Sequence, residues 1–288
     1  MKKVSIVRKL KSFHWAVSIL HLCRNIILYS YQIWWRIAYC YTKDSKELRK
    51  LKNKHVGEKC FIIGNGPSLT LEDINCLRGS ITFASNRIYD VFSKTDWRPT
   101  YYVAIDLSFI REGFEEISTL SLPHKFINRA AKLFSGMKKE NGEIFVFYYE
   151  KRFFERHKLK QQSHSRDISK YMTDTSTVTA SAIEIALYMG FSEMILLGVD
   201  HSYSKIRNID GKIKDDAGIQ DYSSVIKAHS FTPIATVDAM ESSYRYFEKF
   251  TRENNIRILN ATRGGKLEVF ERVSFDSLFA NSKDEEEG

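Results

Sequence analysis

Cysteine is scarce: the 288 residues hold only Cys23, Cys40, Cys60 and Cys76. No two stand as Cys-x-x-Cys or at zinc-ligand spacing, which excludes a disulfide framework and a structural zinc site and points to reduced thiols in a cytosolic setting. The phosphate-binding signatures are missing too. The chain has a glycine pair at Gly64 and Gly66, but no Gly-Lys-Ser/Thr follows and no Gly-x-Gly-x-x-Gly is formed, so it is neither a Walker loop nor a dinucleotide fingerprint. The N-terminus lacks a compact apolar core with a small-residue cleavage site, so a retained leader is expected rather than a signal peptide. Acidic residues are rare there as well. Residues 1–59 carry fourteen Lys/Arg against three Asp/Glu. Of the net charge of +9, that segment therefore supplies +11 and residues 60–288 about −2. The basicity belongs to the leader, which argues against a nucleic-acid partner for the rest.

What is present is organised around Cys60-Phe61-Ile62-Ile63-Gly64-Asn65-Gly66-Pro67-Ser68-Leu69. Four apolar residues closed by a turn read as a strand buried on both faces, and residues 71–77 have helical spacing. Gly64 and Gly66 allow a ligand close to the main chain. Ser68 is placed to cap the helix, whose first-turn amides would suit a phosphate. A purely structural strand-to-helix turn is the competing account.

In the leader, His14, Ser18, His21, Asn25, Tyr29, Gln32 and Arg36 recur every three or four residues, a narrow polar stripe on a helix that is otherwise apolar. Such a helix is too interrupted to span a bilayer comfortably, which takes about 20 predominantly apolar residues. It fits an anionic membrane surface better, aided by its lysines, through residues 1–42. Packing on its own domain or on a second subunit, and a true span, are the alternatives. The expected organisation is a leader and charged linker over 1–56, a domain over 57–280 and a disordered acidic tail over 281–288. The expected location is cytoplasmic, peripheral on the inner face of the membrane.

Along the domain, apolar runs end again and again in one polar residue: Asn86 after a strand from 80, Asp106 after a strand from 101, and Asp200 after 193–199. In open parallel sheets ligands bind beyond the carboxyl ends of the strands, so Asn65, Asn86, Asp106 and Asp200 are expected to meet at one crevice. Each taken singly is explained as a cap for the next helix. Further strands are read at 126–128, 143–149 and 257–260, helices at 178–189 and 236–254, and a short helix near 267–272. Thr175, Ser176 and Thr177 precede the helix at 178 and are either caps or ligands for ribose and phosphate. His157 and His164 lie in a polar loop or lid over 151–169 and are read as solvated. Residues 204–235 form a long polar insertion with His229 near its end.

Several of these stretches together resemble the MptE-like domain family: Gly64-Asn65-Gly66-Pro67-Ser68-Leu69, Ser85-Asn86-Arg87, Arg98 to Asp106, Thr177-Val178-Thr179 and Gly198-Val199-Asp200-His201-Ser202-Tyr203. That family is named after archaeal 6-hydroxymethylpterin diphosphokinases, and many of its bacterial members accompany polysaccharide biosynthesis. A more distant resemblance runs to bacterial lipooligosaccharide sialyltransferases. The resemblance implies an α/β, Rossmann-like, mostly parallel sheet with helices on both faces and a glycosyltransferase acting on a CMP-linked sugar donor without a metal cofactor. The acceptor would be a cell-surface polysaccharide or lipid-linked glycan. By this resemblance Asn65, Ser68 and Asn86 would contact the nucleotide, with Thr175 and Ser176 at its phosphate or ribose; the reading of the residues adds Gly64, Gly66, Asp106 and Thr177 to the expected nucleotide site. His229 would be the general base, its near-neutral pKa suiting that task, with Asp200 and Tyr203 on the same rim. Tyr203 is one position from the family's tyrosine and no second tyrosine follows nearby. Asp106 replaces an asparagine, which favours a rival: pyrophosphoryl transfer from ATP with Mg²⁺ held by Asp106 and Asp200; a catalytically silent nucleotide-binding or scaffold protein is the third reading. Oligomeric state stays open, a homo-oligomer being compatible with all of this.

Overall fold

The structure is a computed structural model. It describes residues 33–132, 142–149, 163–207, 211–227 and 234–279, with residues 19, 22, 23, 26, 30, 136, 137 and 139 besides. The apolar runs become an all-parallel sheet. Its strands are β1 (Lys59–Ile63), β2 (Thr82–Ser85), β3 (Tyr101–Ala104), β4 (Lys125–Asn128), β5 (Glu143–Val146), β8 (Glu193–Leu197), β11 (Arg257–Asn260) and β12 (Glu271–Arg272). Their spatial order is β12-β11-β8-β1-β2-β3-β4-β5. Two short pairs stand apart: β6 (Tyr148–Tyr149) with β7 (Met172–Thr173), and the antiparallel β9 (Lys205–Arg207) with β10 (Ile213–Asp215).

A parallel sheet needs cover on both faces, so its strands are apolar at successive positions rather than alternate ones. Cys60 and Ile62 face one core, while Phe61 and Ile63 face the other. The first core is closed by α1 (Lys43–Leu51), α5 (Val178–Met189) and α6 (Val237–Glu253), through Leu48, Ile183 and Phe247 among others. The second is closed by α2 (Leu71–Cys76), a 3-10 helix at Asn86–Ser93, α3 (Leu107–Glu112) and α4 (Phe114–Thr119).

Three expectations change. The charged stretch after residue 43 is a helix seated on the core, with Leu48 fully buried and the Ser45 hydroxyl donating to the Ser169 carbonyl at 2.6 Å. Its polar surface hides a two-residue apolar edge, Leu48 and Leu51. No helix forms near 267–272; the chain there supplies edge strand β12, held by Val273 N–H donating to the Asn260 carbonyl at 3.0 Å. The polar insertion contains the β9/β10 hairpin, tied down where Ser204 N–H meets the Asp221 carboxylate at 2.7 Å. The acidic tail lies outside the described residues.

Candidate functional site

Strand order runs one way from β1 through β2 to β5 and the other way from β1 through β8 to β12. The reversal falls between β1 and β8, and in open α/β sheets the crevice at such a point is where ligands bind. The glycine loop leaves β1 there, and Gly198-Val199-Asp200-His201 leaves β8 beside it.

The two loops are clasped. Gly64 N–H donates to the Leu197 carbonyl at 2.8 Å and Gly66 N–H to the Gly198 carbonyl at 2.9 Å. The Asp200 carboxylate accepts the Ser68 N–H at 3.2 Å and the Ser68 hydroxyl at 2.8 Å. Both glycines are required by this approach. A methyl on Gly64 would overlap the Gly198 carbonyl oxygen, and one on Gly66 would overlap the Asp200 carboxylate. Burial raises the Asp200 pKa, while the Ser68 hydroxyl and amide pull the other way.

This corrects the first reading of Ser68. The cap of α2 is Thr70, whose hydroxyl oxygen accepts the Asp73 N–H at 3.1 Å. The amides of Gly64, Gly66, Ser68 and Leu69 are all engaged within the protein. The glycine loop therefore is not an open nest for phosphate, since a carboxylate already fills it. A second negative group at the same amides would be repelled.

Other polar atoms here remain unsatisfied. The Asn65 amide nitrogen donates to the Ser85 carbonyl at 2.9 Å, but its Oδ1 is buried without a partner. The Oδ1 of Asn86, at the end of β2, is in the same state, and so are both ring nitrogens of His201. His201 is 8% exposed and lies edge-on to Tyr203 and Tyr244, with ring centroids 5.8 and 5.6 Å away. Burial lowers its pKa, opposed by Glu241, which favours a neutral imidazole. Asn86, Ser176 and His201 also have positive φ, 51°, 61° and 54°. Non-glycine residues rarely adopt this conformation, which Asn53 and Asn255 share in turns elsewhere in the chain.

The rim is completed by the start of α5. The Thr177 side chain makes no capping bond, and its hydroxyl lies 3.4 Å from the Tyr244 hydroxyl. The Thr175 hydroxyl donates to the Thr177 carbonyl at 3.1 Å. Tyr203 sits within electrostatic reach of Tyr244, Tyr222, Asp221 and Asp200, and burial raises its pKa, keeping the phenol protonated.

Residues 37–206, more than half of the chain, match the family described as 6-hydroxymethylpterin diphosphokinase MptE-like. The chain belongs to the MptE-like family. No curated protein matches this MptE-like chain by sequence. Among solved structures, 84% of it superposes on 39% of the MAf glycosyltransferase from Magnetospirillum magneticum AMB-1, at 16% identity and a TM-score of 0.47. It thus spans well under half of that protein. The sialyltransferase CstII from Campylobacter jejuni, solved with cytidine-5'-monophosphate, shares 12% identity over 76% of this chain and 86% of its own, at a TM-score of 0.44. A mammalian sialyltransferase solved with Gal-beta-1-3GalNAc-ortho-nitrophenol gives 11% identity over 82% and 86%, at 0.30.

Of the four strand tips read from the sequence, the MptE-like fold links three. Asn65 bonds the strand end that precedes Asn86, and Asp200 bonds Ser68 three residues beyond Asn65. Asp106 takes the other course: it is exposed, and its carboxylate accepts the Ser108 and Phe109 amides at 2.7 and 3.2 Å as the cap of α3. His229 and His157 lie outside the described residues. His164 is not solvated: its Nδ1 is 2.8 Å from the Tyr246 hydroxyl, and burial with Arg166 nearby pushes its pKa down to about 4.

Two participants were given no role by the sequence, although His201 stands in the stretch 198–203 that resembles the family. His201 reads as one polar residue on a rim, and only the fold shows that its ring is enclosed. Glu184 sits among the apolar residues of α5, fully buried, where it accepts the amides of Ser165 at 2.7 Å and Thr173 at 3.2 Å. It thereby holds the approach to Thr175. Burial raises its pKa to about 8, against the pull of those amides. The folded protein thus holds this proton more tightly than the unfolded chain. The stability it confers is complete below the ordinary glutamate value of 4.5 and is lost as pH rises toward about 8. Glu184→Gln keeps an acceptor without the charge, so its melting temperature relative to wild type should climb between pH 5 and pH 9. A constant difference in thermal melts across that range would refute the assignment.

Proposed function

We propose that this MptE-like domain binds a nucleotide at the switch point between β1 and β8 and transfers a sugar from a nucleotide-activated donor, CMP-linked, to a glycan or lipid-linked acceptor. The observation carrying this reading is the group of buried, unsatisfied acceptors and ring nitrogens on Asn65, Asn86 and His201. Leaving such an atom unpaired costs about 1–3 kcal/mol, and a polar ligand that reaches these atoms offsets the cost. Asn65 and Asn86 suit a base and ribose. The phosphate is assigned to Thr175, Ser176 and Thr177 at the start of α5, away from the Asp200 carboxylate, where the helix terminus favours negative charge.

In this reading Asp200 orders the glycine loop, and the Tyr203 hydroxyl donates a hydrogen bond to the departing phosphate. His229 takes the proton of the acceptor hydroxyl. The acceptor oxygen then bonds to the anomeric carbon as the bond from that carbon to the phosphate oxygen breaks, and CMP leaves with the electron pair.

The rival, pyrophosphoryl transfer from Mg²⁺-ATP, rests on the family's description and on two carboxylates. Their placement fits it poorly, since the Asp106 carboxylate caps α3 while that of Asp200 holds Ser68. Both would have to leave these bonds to share one cation.

Thermal melting with nucleotides separates the two. CMP without metal, at about 100 times its Kd, should stabilise by about 2.7 kcal/mol and raise the melting temperature by about 5 °C. Stabilisation only by ATP with Mg²⁺ would support the rival, and no response to either would end both. His229→Ala should retain the CMP shift while losing acceptor-dependent CMP release; undiminished release would remove His229 from the mechanism.

A further inference from the structure

The N-terminal helix has a face that neither core uses. Residues 33–40 are helical, and one side is seated on the domain. Tyr39 is fully buried with its hydroxyl donating to the Phe145 carbonyl at 2.8 Å. The Arg36 guanidinium lies 4.3 Å from the Tyr171 ring centre, and that of Arg129 lies 5.4 Å from the Trp35 ring. Those contacts set the opposite side facing outward, and it is apolar. Ile33, Trp34, Ile37 and Tyr41 are 37%, 60%, 56% and 78% exposed. Upstream, Ile19, Leu22 and Ile26 are also exposed, and in the sequence they stand at helical spacings of three and four residues and then seven to Ile33. Seven of the ten exposed large apolar residues named among the described residues fall on this short segment. A helix ending in water is normally built the other way round, with its polar stripe outward. Here the stripe residue Arg36 turns toward the domain.

We propose that the chain docks on an anionic lipid surface through this outward face, the helix lying in the interface. Charge selects the occupant. The following helix α1 exposes Lys43, Lys46, Arg49 and Lys50, and residues 1–59 carry a surplus of eleven positive charges. A second copy of the chain would bring the same positive charge against it, whereas an anionic headgroup layer neutralises it. The polar residues His14, Ser18, His21, Asn25, Tyr29, Gln32 and Arg36 interrupt the apolar run of about 20 residues that a span takes, which favours the interfacial arrangement. The apolar row would enter the acyl boundary while the lysines of α1 meet the headgroups. This arrangement is independent of which nucleotide the domain takes.

The full-length chain is sedimented with vesicles of phosphatidylcholine alone and with phosphatidylglycerol added. Binding is expected only to the anionic vesicles, weakening about tenfold or more when salt is raised to several times the physiological level. Trp34→Ser combined with Ile37→Ser should lower partitioning about tenfold without moving the melting temperature, because both side chains are exposed. Lys46→Glu with Lys50→Glu should lower it comparably with the apolar row intact. Equal binding to neutral and anionic vesicles, no binding to either, or a dimer in ultracentrifugation that the Trp34/Ile37 variant abolishes would each overturn the proposal.

Discussion

Replacing Lys125 with methionine is expected to lower the melting temperature by about 10 °C, among the largest effects of any single change in this domain. Lys125 opens β4 with its side chain fully buried, and its ammonium is 2.7 Å from the equally buried Glu143 carboxylate at the start of β5. It also donates to the carbonyls of Ile117 at 3.1 Å and Leu120 at 2.6 Å, closing the end of α4. Removing one partner of such a pair costs about 3–5 kcal/mol, because the other charge stays in the interior. In a chain of this size each kcal/mol moves the midpoint by roughly 2–3 °C. Replacing the whole pair with apolar residues costs far less. The double variant Lys125→Met/Glu143→Leu should therefore recover much of the loss. Thermal denaturation followed by circular dichroism decides it: a Lys125→Met protein melting within about 2 °C of wild type would show that the pair is not holding β4 to β5.

The second large effect falls on the site. Gly64→Ala sets a methyl into the Gly198 carbonyl oxygen and within 3.2 Å of a Val199 methyl. A side-chain end could turn aside, but the backbone carbonyl is fixed by the pairing of β1 with β8. Relief requires the two loops to part, breaking the bonds of Gly64 and Gly66 to Leu197 and Gly198 and carrying Ser68 away from Asp200. Overpacking of this kind costs about 1–3 kcal/mol, so a fall of about 5 °C is expected, with complete loss of the nucleotide-induced shift. Ser68→Ala serves as the comparison. It removes one hydroxyl and leaves the backbone approach intact, so a weaker response should persist. A Gly64→Ala protein that kept the full nucleotide response would detach the glycine loop from the binding site.

Both predictions arise from positions the sequence marks unequally. The glycine pair is visible as a break between an apolar run and a helical pattern, and its tightness follows from residue type. Lys125 looks like any surface lysine before a strand. Its burial comes from β5 and α4 closing over it, and Glu143 is eighteen residues away in the chain.

What the linear order determined by itself was the architecture: uninterrupted apolar strands demand cover on both faces, and strands followed by helices make parallel neighbours. It also indicated where polar groups would gather, because strand ends in such a sheet share one edge. The tertiary structure decided which of them do. Asp106 has a helix start within two residues and is taken by it, whereas Asn65, Asn86 and His201 are enclosed before their polar atoms find partners. It also decided which way Arg36, at the end of the leader's polar stripe, turns: toward the domain and the Tyr171 ring. Periodicity sets two faces of a helix apart, but only docking against the domain says which one is covered.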